Sequence, residues 1–315
     1  MPVPPGAASQ QGKEPLNRFP EFLVIGAARA GTTALHNYLR QHPQVFMPEV
    51  KEPNFFAFEG EALNCQGPGA DYINNSITSE NSYLKLFAEA PRGAIRGEAS
   101  PLYLYAPQAA RRIHAHRADT RLVVILRNPI EQAFSHFLYA TKQAIEPERD
   151  FKQALMLENQ RIEAGWQPLF AYSRFPRYGE QLARYLRLFE RRQIFIRLYE
   201  DYTEAPETLM RDLYAFIGAD PDFVPDMSRR LNAGGVPKNR ALQDFLMKPN
   251  PLTGAIGRVV PRNLRWAIRD RIAAANLKRP ETISEEARRI LKDRLADEIR
   301  ALEKMIGRDL GHWLR

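Results

Sequence analysis

The sequence predicts an α/β fold with a central, mainly parallel sheet flanked by helices. Three short apolar runs lack polar alternation, as strands buried on both faces do. Each run is followed by a segment with helical spacing, the alternation that builds a doubly wound sheet. The 315 residues, 44% of them hydrophobic, suffice for a large core, and a charged fraction of 26% argues against wholesale disorder.

The first run is Phe22–Ile25, ended by Gly26. Ala34, Leu35, Tyr38 and Leu39 then recur at helical spacing over Thr33 to Gln41, and Pro43 stops that helix. The second run, Leu122–Leu126, leads through Arg127-Asn128-Pro129 into a helix from Ile130 to Thr141. The third, Gln193–Tyr199, precedes a helix from about Pro206 to Ile217, with Gly218 as its stop.

The stretches between are less regular. Asn64 to Ser82 reads as a loop. Thr141 to Tyr178 joins a helical part, Phe151 to Ala164, to the aromatics Trp166, Phe170, Tyr172, Phe175 and Tyr178, which fit core better than a glycan platform. Asn232 to Arg240 is a loop rich in Gly and basic residues. The last helix starts after Ser284, an N-cap followed by Glu285 and Glu286 in the first turn. Ile290, Leu291, Leu295, Ile299, Leu302 and Ile306 form its core stripe, and Gly307 follows. The expected organisation is a flexible tail over 1–18 and a single domain over 19–315, helical from about 241.

Lys plus Arg number 45 against 37 Asp plus Glu, a net +8 that favours anionic partners and equally suits a solubilising surface. No recognised nucleic-acid motif is present, so nucleic acid is not the expected partner. The single Cys65 permits no internal disulfide and fits a reducing compartment. No apolar run is long enough to span a bilayer. The opening MPVPPGAASQQGKEPLNRFP has no apolar core resembling a secretion signal. A cytoplasmic location is the expectation. His42, His114, His116 and His136 show no metal-ligand spacing, so no metal is expected.

Gly26-Ala27-Ala28-Arg29-Ala30-Gly31-Thr32-Thr33 follows a strand and opens a helix. Small residues there let the backbone approach a phosphate, which exposed N–H groups and the positive helix end can bind. The glycine spacing equals that of a Walker A loop, but Thr32 takes the lysine position and Arg29 stands inside the loop. A tight turn with a helix cap is the alternative. Magnesium-dependent phosphoryl-transfer enzymes place an acid after a buried strand to help hold the metal. Here Arg127 stands there, with Ser135 following on the predicted helix. An Arg and a hydroxyl describe a second phosphate site without metal, or else a strand-end Arg paired to a carboxylate.

Ile25 to Leu35 resembles the 5′-phosphosulfate loop of sulfotransferases that use 3′-phosphoadenosine 5′-phosphosulfate (PAPS). Arg127-Asn128-Pro129, with Ala133 and Ser135, resembles their 3′-phosphate motif. Lys51-Glu52-Pro53-Asn54-Phe55-Phe56 is similar to a segment of the heparan sulfate N- and O-sulfotransferases, and Leu310 to Leu314 resembles bacterial members. The resemblance runs from about Phe22 to Arg240. It implies a P-loop-like three-layer fold and metal-free in-line transfer of a sulfuryl group from PAPS to an acceptor hydroxyl or amine on a carbohydrate or small molecule.

By the same resemblance, Ala28, Arg29, Ala30, Gly31, Thr32 and Thr33 would hold the phosphosulfate, and Arg127 and Ser135 the 3′-phosphate. Lys238 and Arg240 would close over that phosphate. Glu52 matches the general base, and Lys51 would steer an acidic acceptor or touch the transferring group. Most relatives carry Lys where Arg29 stands; arginine cannot act as a general acid but can stabilise charge, so activity should survive. Glu98, in Gly97-Glu98-Ala99-Ser100-Pro101-Leu102-Tyr103, matches another family segment on the substrate side. Ala99 replaces the usual basic residue, which removes an acceptor contact, and Glu98 is a second-choice base or, in preference, an organiser of the site. The rival readings are a non-catalytic PAPS- or nucleotide-binding relative, an ATP-dependent P-loop kinase and a nucleic-acid-binding module.

Overall fold

The structure is a computed structural model that describes residues 18–228, 235–247, 262–278 and 282–315. The elements run β1 (Phe22–Gly26), α1 (Thr32–Leu39), β2 (Val45–Phe46), α2 (Phe55–Phe58), α3 (Asp71–Asn74), α4 (Glu80–Lys85) and β3 (Ile95–Ala99). Next come α5 (Leu102–Tyr105), α6 (Ala109–His116), β4 (Arg121–Leu126), α7 (Pro129–Lys142), α8 (Phe151–Met156), α9 (Glu158–Glu163) and α10 (Tyr178–Leu186). The chain continues through β5 (Ile194–Leu198), α11 (Tyr199–Glu204), α12 (Pro206–Ile217), β6 (Val236–Pro237), α13 (Arg240–Met247), α14 (Arg262–Ala275), β7 (Leu277–Lys278) and α15 (Glu285–Ile306).

Five strands form one sheet in the order β2-β3-β1-β4-β5, and every pairing in it is parallel. Phe22 to Ile25, Leu122 to Leu126 and Ile194 to Leu198 are nearly all inaccessible, as expected for strands covered by helices on both faces. β1 lies between β3 and β4, where the strand order reverses. Ligands in open α/β sheets sit at the carboxyl ends of the strands at that point. The β1–β4 register slips between Val24 and Gly26, a bulge that re-aims the chain as it leaves the sheet.

The three strand–helix units stand within two residues of where the apolar runs put them, except that Tyr199 opens α11 instead of ending a strand. Asn64 to Ser82 is less of a loop than expected: it contains α3 and the start of α4. Phe151 to Ala164 breaks at Leu157 into α8 and α9. Of the expected tail, residues 1–17 lie outside the described residues, as do 232–234 of the Asn232 to Arg240 loop.

The apolar-run criterion missed β3, because Ile95-Arg96-Gly97-Glu98-Ala99 carries two charges and a glycine. Gly97 faces Phe22 across the ladder, and a Cβ there would lie 2.1 Å from the Phe22 ring. The ring occupies the space a side chain would need. Gly97→Ala should therefore destabilise the fold by about 1–3 kcal/mol. Urea unfolding would show it as a lower midpoint at unchanged slope.

α15 is capped as its sequence implies. The Ser284 hydroxyl accepts the Ala287 N–H at 3.3 Å, and Gly307 ends the helix at φ 66°. Ala287, Leu291, Leu295, Ile299 and Leu302 are buried, and the helix lies against α7, α8 and α10. Trp313 is fully enclosed, and its indole N–H donates to Glu200 Oε1 at 2.8 Å.

Candidate functional site

The loops leaving β1 and β4 border a cleft of about 980 Å³. Ala28, Arg29, Gly31, Thr32, Thr33, Arg127 and Ser135 all line it. Gly31 is the N-cap of α1 at φ 86°, and no side chain caps that helix. The first-turn amides are thus left for an anion at the positive helix end. Ala30 is not part of the lining. It is buried, and its N–H goes to the Ala27 carbonyl at 3.2 Å, so its backbone closes the turn and does not face a ligand.

Arg29 also has a positive φ, 64°, a conformation disfavoured for residues with a Cβ and concentrated at functional sites. Its Nε lies 3.4 Å from Ser135 Oγ, and its guanidinium sits 4.6 Å from the Tyr139 ring centroid. Burial pulls its pKa below arginine's usual range; Tyr139 and Glu52 oppose that pull, and Arg127 adds to it. Arg127 donates to the Arg29 carbonyl at 3.0 Å and rests 5.0 Å from the Tyr199 ring centroid. Arg127 is thereby braced against the loop, and the two residues expected to hold a second phosphate share one cleft with the first loop. Burial, reinforced by Arg29, pushes the His136 pKa down to about 3 and keeps that cleft-lining imidazole neutral.

Glu52 lies on the same cleft, again at positive φ, 61°. Its N–H donates to the Ala99 carbonyl at 3.1 Å. Its carboxylate is ion-paired with Lys51 and accepts the Tyr72 hydroxyl. Lys51 does not itself line the cleft. It acts on the site through Glu52.

Glu98 is not at the cleft surface, so it makes no acceptor contact and is not placed as a base; its position fits the reading that it organises the site. It is fully enclosed beneath the cleft, accepting from Ser100 Oγ at 2.9 Å and Tyr83 Oη at 3.3 Å. Ser100 Oγ in turn accepts the Asn54 N–H at 3.2 Å, so Glu98 braces the segment that presents Glu52. Burial raises its pKa to about 7, against the pull of neighbouring hydroxyls. A carboxyl raised in the folded state binds more protons there than in the unfolded chain, so stability falls as pH rises from about 4.5 to 7. Glu98→Gln should flatten unfolding free energy across that window; an unchanged slope would contradict the raised pKa.

Lys238 and Arg240 are not brought into the cleft. Lys238 Nζ donates to the Ala275 carbonyl at 3.0 Å, across the β6–β7 ribbon, and Arg240 donates to the Glu146 carbonyl. Sequence reasoning missed Tyr72, Gln132, Tyr139 and Tyr199. Gln132 Nε2 holds the Ala28 carbonyl at 3.2 Å. Its spacing to Ser135 and Tyr139 puts all three on one face of α7, a signal readable once Ser135 was singled out. Tyr72 carried no such signal, because its segment lacks a periodic pattern. Among the described residues, Glu59, Glu80 and His116 have ligand atoms within 4.8 Å of one another, but none of them lines the cleft.

Comparison with known proteins gives a consistent picture. A model described as the sulfotransferase family matches residues 20–223. The chain is 35% identical over 120 residues to human heparan sulfate glucosamine 3-O-sulfotransferase 6, covering 38% of this chain and 30% of that protein. It is 24% identical over 251 residues to human carbohydrate sulfotransferase 15, covering 65% of this chain and 45% of that one. The chain thus spans less than half the length of these curated relatives. A crystal structure of a sulfotransferase from Alicyclobacillus acidocaldarius superposes with a TM-score of 0.71 at 30% identity, over 94% of this chain and 99% of that one.

Proposed function

This chain belongs to the sulfotransferase family, and on that premise we propose that it transfers a sulfuryl group from PAPS to an acceptor hydroxyl or amine. The observation that carries the reading is the meeting of two anion sites in one cleft: the uncapped start of α1 and the Arg127–Ser135 pair. A donor with phosphate groups at both its 3′ and 5′ positions has the charge distribution that these two sites complement.

The residues present fit such a donor. The amides of Gly31 to Thr33 and the Thr32 and Thr33 hydroxyls would hold the 5′-phosphosulfate, while Arg127 and Ser135 would hold the 3′-phosphate. When bound, PAPS supplies an activated sulfuryl group and a weakly basic phosphate leaving group. Sulfuryl transfer resembles phosphoryl transfer, with a loose transition state whose charge spreads over peripheral oxygens. Arg29, fixed by Ser135 and Tyr139, supplies permanent positive charge beside that position. Glu52 takes the acceptor's proton, and Tyr72 orients its carboxylate. Arg29 supplies, at the transferring group, the charge that a metal ion supplies in P-loop kinases, which favours metal-free transfer. A reducing, cytoplasmic setting belongs to the same proposal, supported by the single unpaired Cys65.

Calorimetric titration of adenosine 3′,5′-bisphosphate (PAP) without magnesium, beside AMP and ATP, tests the donor. PAP should bind in preference to both. Arg127→Ala should weaken it by about 1.5–3 kcal/mol, the range for hydrogen bonds to charged groups, or roughly one to two powers of ten. Equal affinity for PAP and AMP would remove the PAPS reading, and tight magnesium-dependent ATP binding would favour the kinase.

A further inference from the structure

The cleft has two chemically different ends. At the donor end stand Arg29, Arg127, Ser135, Thr32 and Thr33. The other end is organised around Glu52. The Tyr72 hydroxyl on Glu52 brings α3, with Asp71 and Ile73, to that side. Because Glu52 N–H binds the Ala99 carbonyl, the chain that enters α5 three residues later sets Leu102 nearby.

The turn before α3 draws in the remaining wall. A Cβ on Gly69 would lie 2.9 Å from Ile145, and Gln167 Nε2 donates to the Pro68 carbonyl at 2.7 Å. Those contacts seat Ile145 and Gln167 against the same turn, two residues before Leu169. Phe175 stacks on Tyr105, at the end of α5, with ring centroids 4.5 Å apart. Ile73, Leu102, Ile145, Leu169 and Phe175 all line the cleft. Among the described residues, the acidic lining groups beside these side chains are Glu52, which is paired with Lys51 and within electrostatic reach of Arg29, and Asp71; the other charged lining groups are Arg127 and the ion-paired Arg288 and Glu131.

Such a wall is wrong for a polyanionic sugar. Sugar hydroxyls and sulfates buried against Ile, Leu and Phe would lose their water without gaining partners. The Asp71 carboxylate would repel anionic groups as well. An apolar body gains from the same surface, as in small-molecule sites lined by hydrophobic side chains with a few placed polar groups. Resting on the sulfotransferase reading above, we propose that the acceptor is a small, predominantly apolar alcohol or phenol. Its hydroxyl meets Glu52, and its body lies against Leu102, Leu169, Ile145 and Phe175. In the transfer, the acceptor O–H proton passes to Glu52 and the acceptor oxygen bonds to sulfur. The bond from sulfur to the 5′-phosphate oxygen breaks, leaving a sulfate ester and PAP.

Calorimetry on the full chain tests this, with 2-naphthol, 1-octanol and an N-sulfated heparosan hexasaccharide each titrated into PAP-loaded protein. Turnover of each with labelled PAPS is then measured. The expected result is that an apolar alcohol binds and is sulfated in preference to the hexasaccharide. Ile145→Lys, on the partly exposed rim of the wall, should lower kcat/KM for that alcohol at least about tenfold with PAP affinity unchanged. Preferential sulfation of the hexasaccharide would overturn the proposal. So would failure of both alcohols to bind PAP-loaded protein, or an Ile145→Lys variant with undiminished kcat/KM. Failure of the wild-type protein to bind PAP would remove the donor reading itself, and this proposal with it. The PAP titration separates the two failures.

Discussion

Glu52→Gln should lower kcat by about two to four powers of ten, the usual contribution of a positioned general base. PAP affinity should stay the same, because Glu52 lies at the acceptor end of the cleft. The amide has the carboxylate's shape and keeps an oxygen for the Tyr72 hydroxyl, so the backbone at positive φ is not asked to change. What it lacks is a basic oxygen for the acceptor proton and the charge that holds Lys51. Tyr72→Phe should lower kcat less, since it removes the orienting contact and leaves the base in place. The two variants together separate chemistry from positioning. Turnover of Glu52→Gln at the wild-type rate would end the assignment of Glu52 as base. A fall in PAP affinity as large as the fall in kcat would mean that the substitution had disturbed the donor end instead.

Strands β1, β4 and β5 were legible because each is a largely apolar run, and the helices of the first and third units carry their own stops, Pro43 and Gly218. β3 was not legible, because its requirement is negative. The Phe22 ring needs an absent side chain at Gly97, and Glu98 is buried among hydroxyls, so neither residue reads as strand. The donor end could be read from Gly26 to Thr33 and from Arg127 to Ser135, because phosphate binding fixes residue types at fixed offsets from strand ends. Ala30 shows the limit of that reading, since spacing does not say which amide of a turn is spent on the turn itself. Lys238 and Arg240 show a second limit: a basic loop has many carbonyls within reach, and here both cations found backbone acceptors. The acceptor end depends on α3, on Ile145 and on Leu169, three short irregular segments that meet only in the folded chain. Specificity held in such segments changes without altering the fold, so periodicity does not reveal it.

Ile145 adjoins a buried ion pair, whose disruption should destabilise the fold strongly. Glu146 is fully enclosed, and Arg161 binds it in bidentate fashion at 2.8 and 3.0 Å. The Tyr172 hydroxyl and the Glu148 N–H also donate to that carboxylate. Arg161 continues over the rings of Trp166 and Phe170, at 5.0 and 5.3 Å from their centroids. Glu146→Ala would leave the guanidinium buried with no counter-charge, which should destabilise the fold by about 3–5 kcal/mol. An exposed ion pair, such as that between Arg300 and Asp297, should cost under about 1 kcal/mol when broken. Replacing both partners at once, Glu146→Leu with Arg161→Met, should recover much of the loss, because no unpaired charge then remains. Urea unfolding of Glu146→Leu, Arg161→Met and the double variant gives the coupling directly. A Glu146→Ala variant no less stable than an Asp297→Ala variant would show that the pair is not enclosed as described. Ile145 precedes Glu146 and lines the cleft, so the same substitution should loosen the acceptor wall. Arg127, Ser135 and the start of α1 are held by other contacts, so PAP binding at temperatures where the variant remains folded should be untouched, while acceptor KM rises.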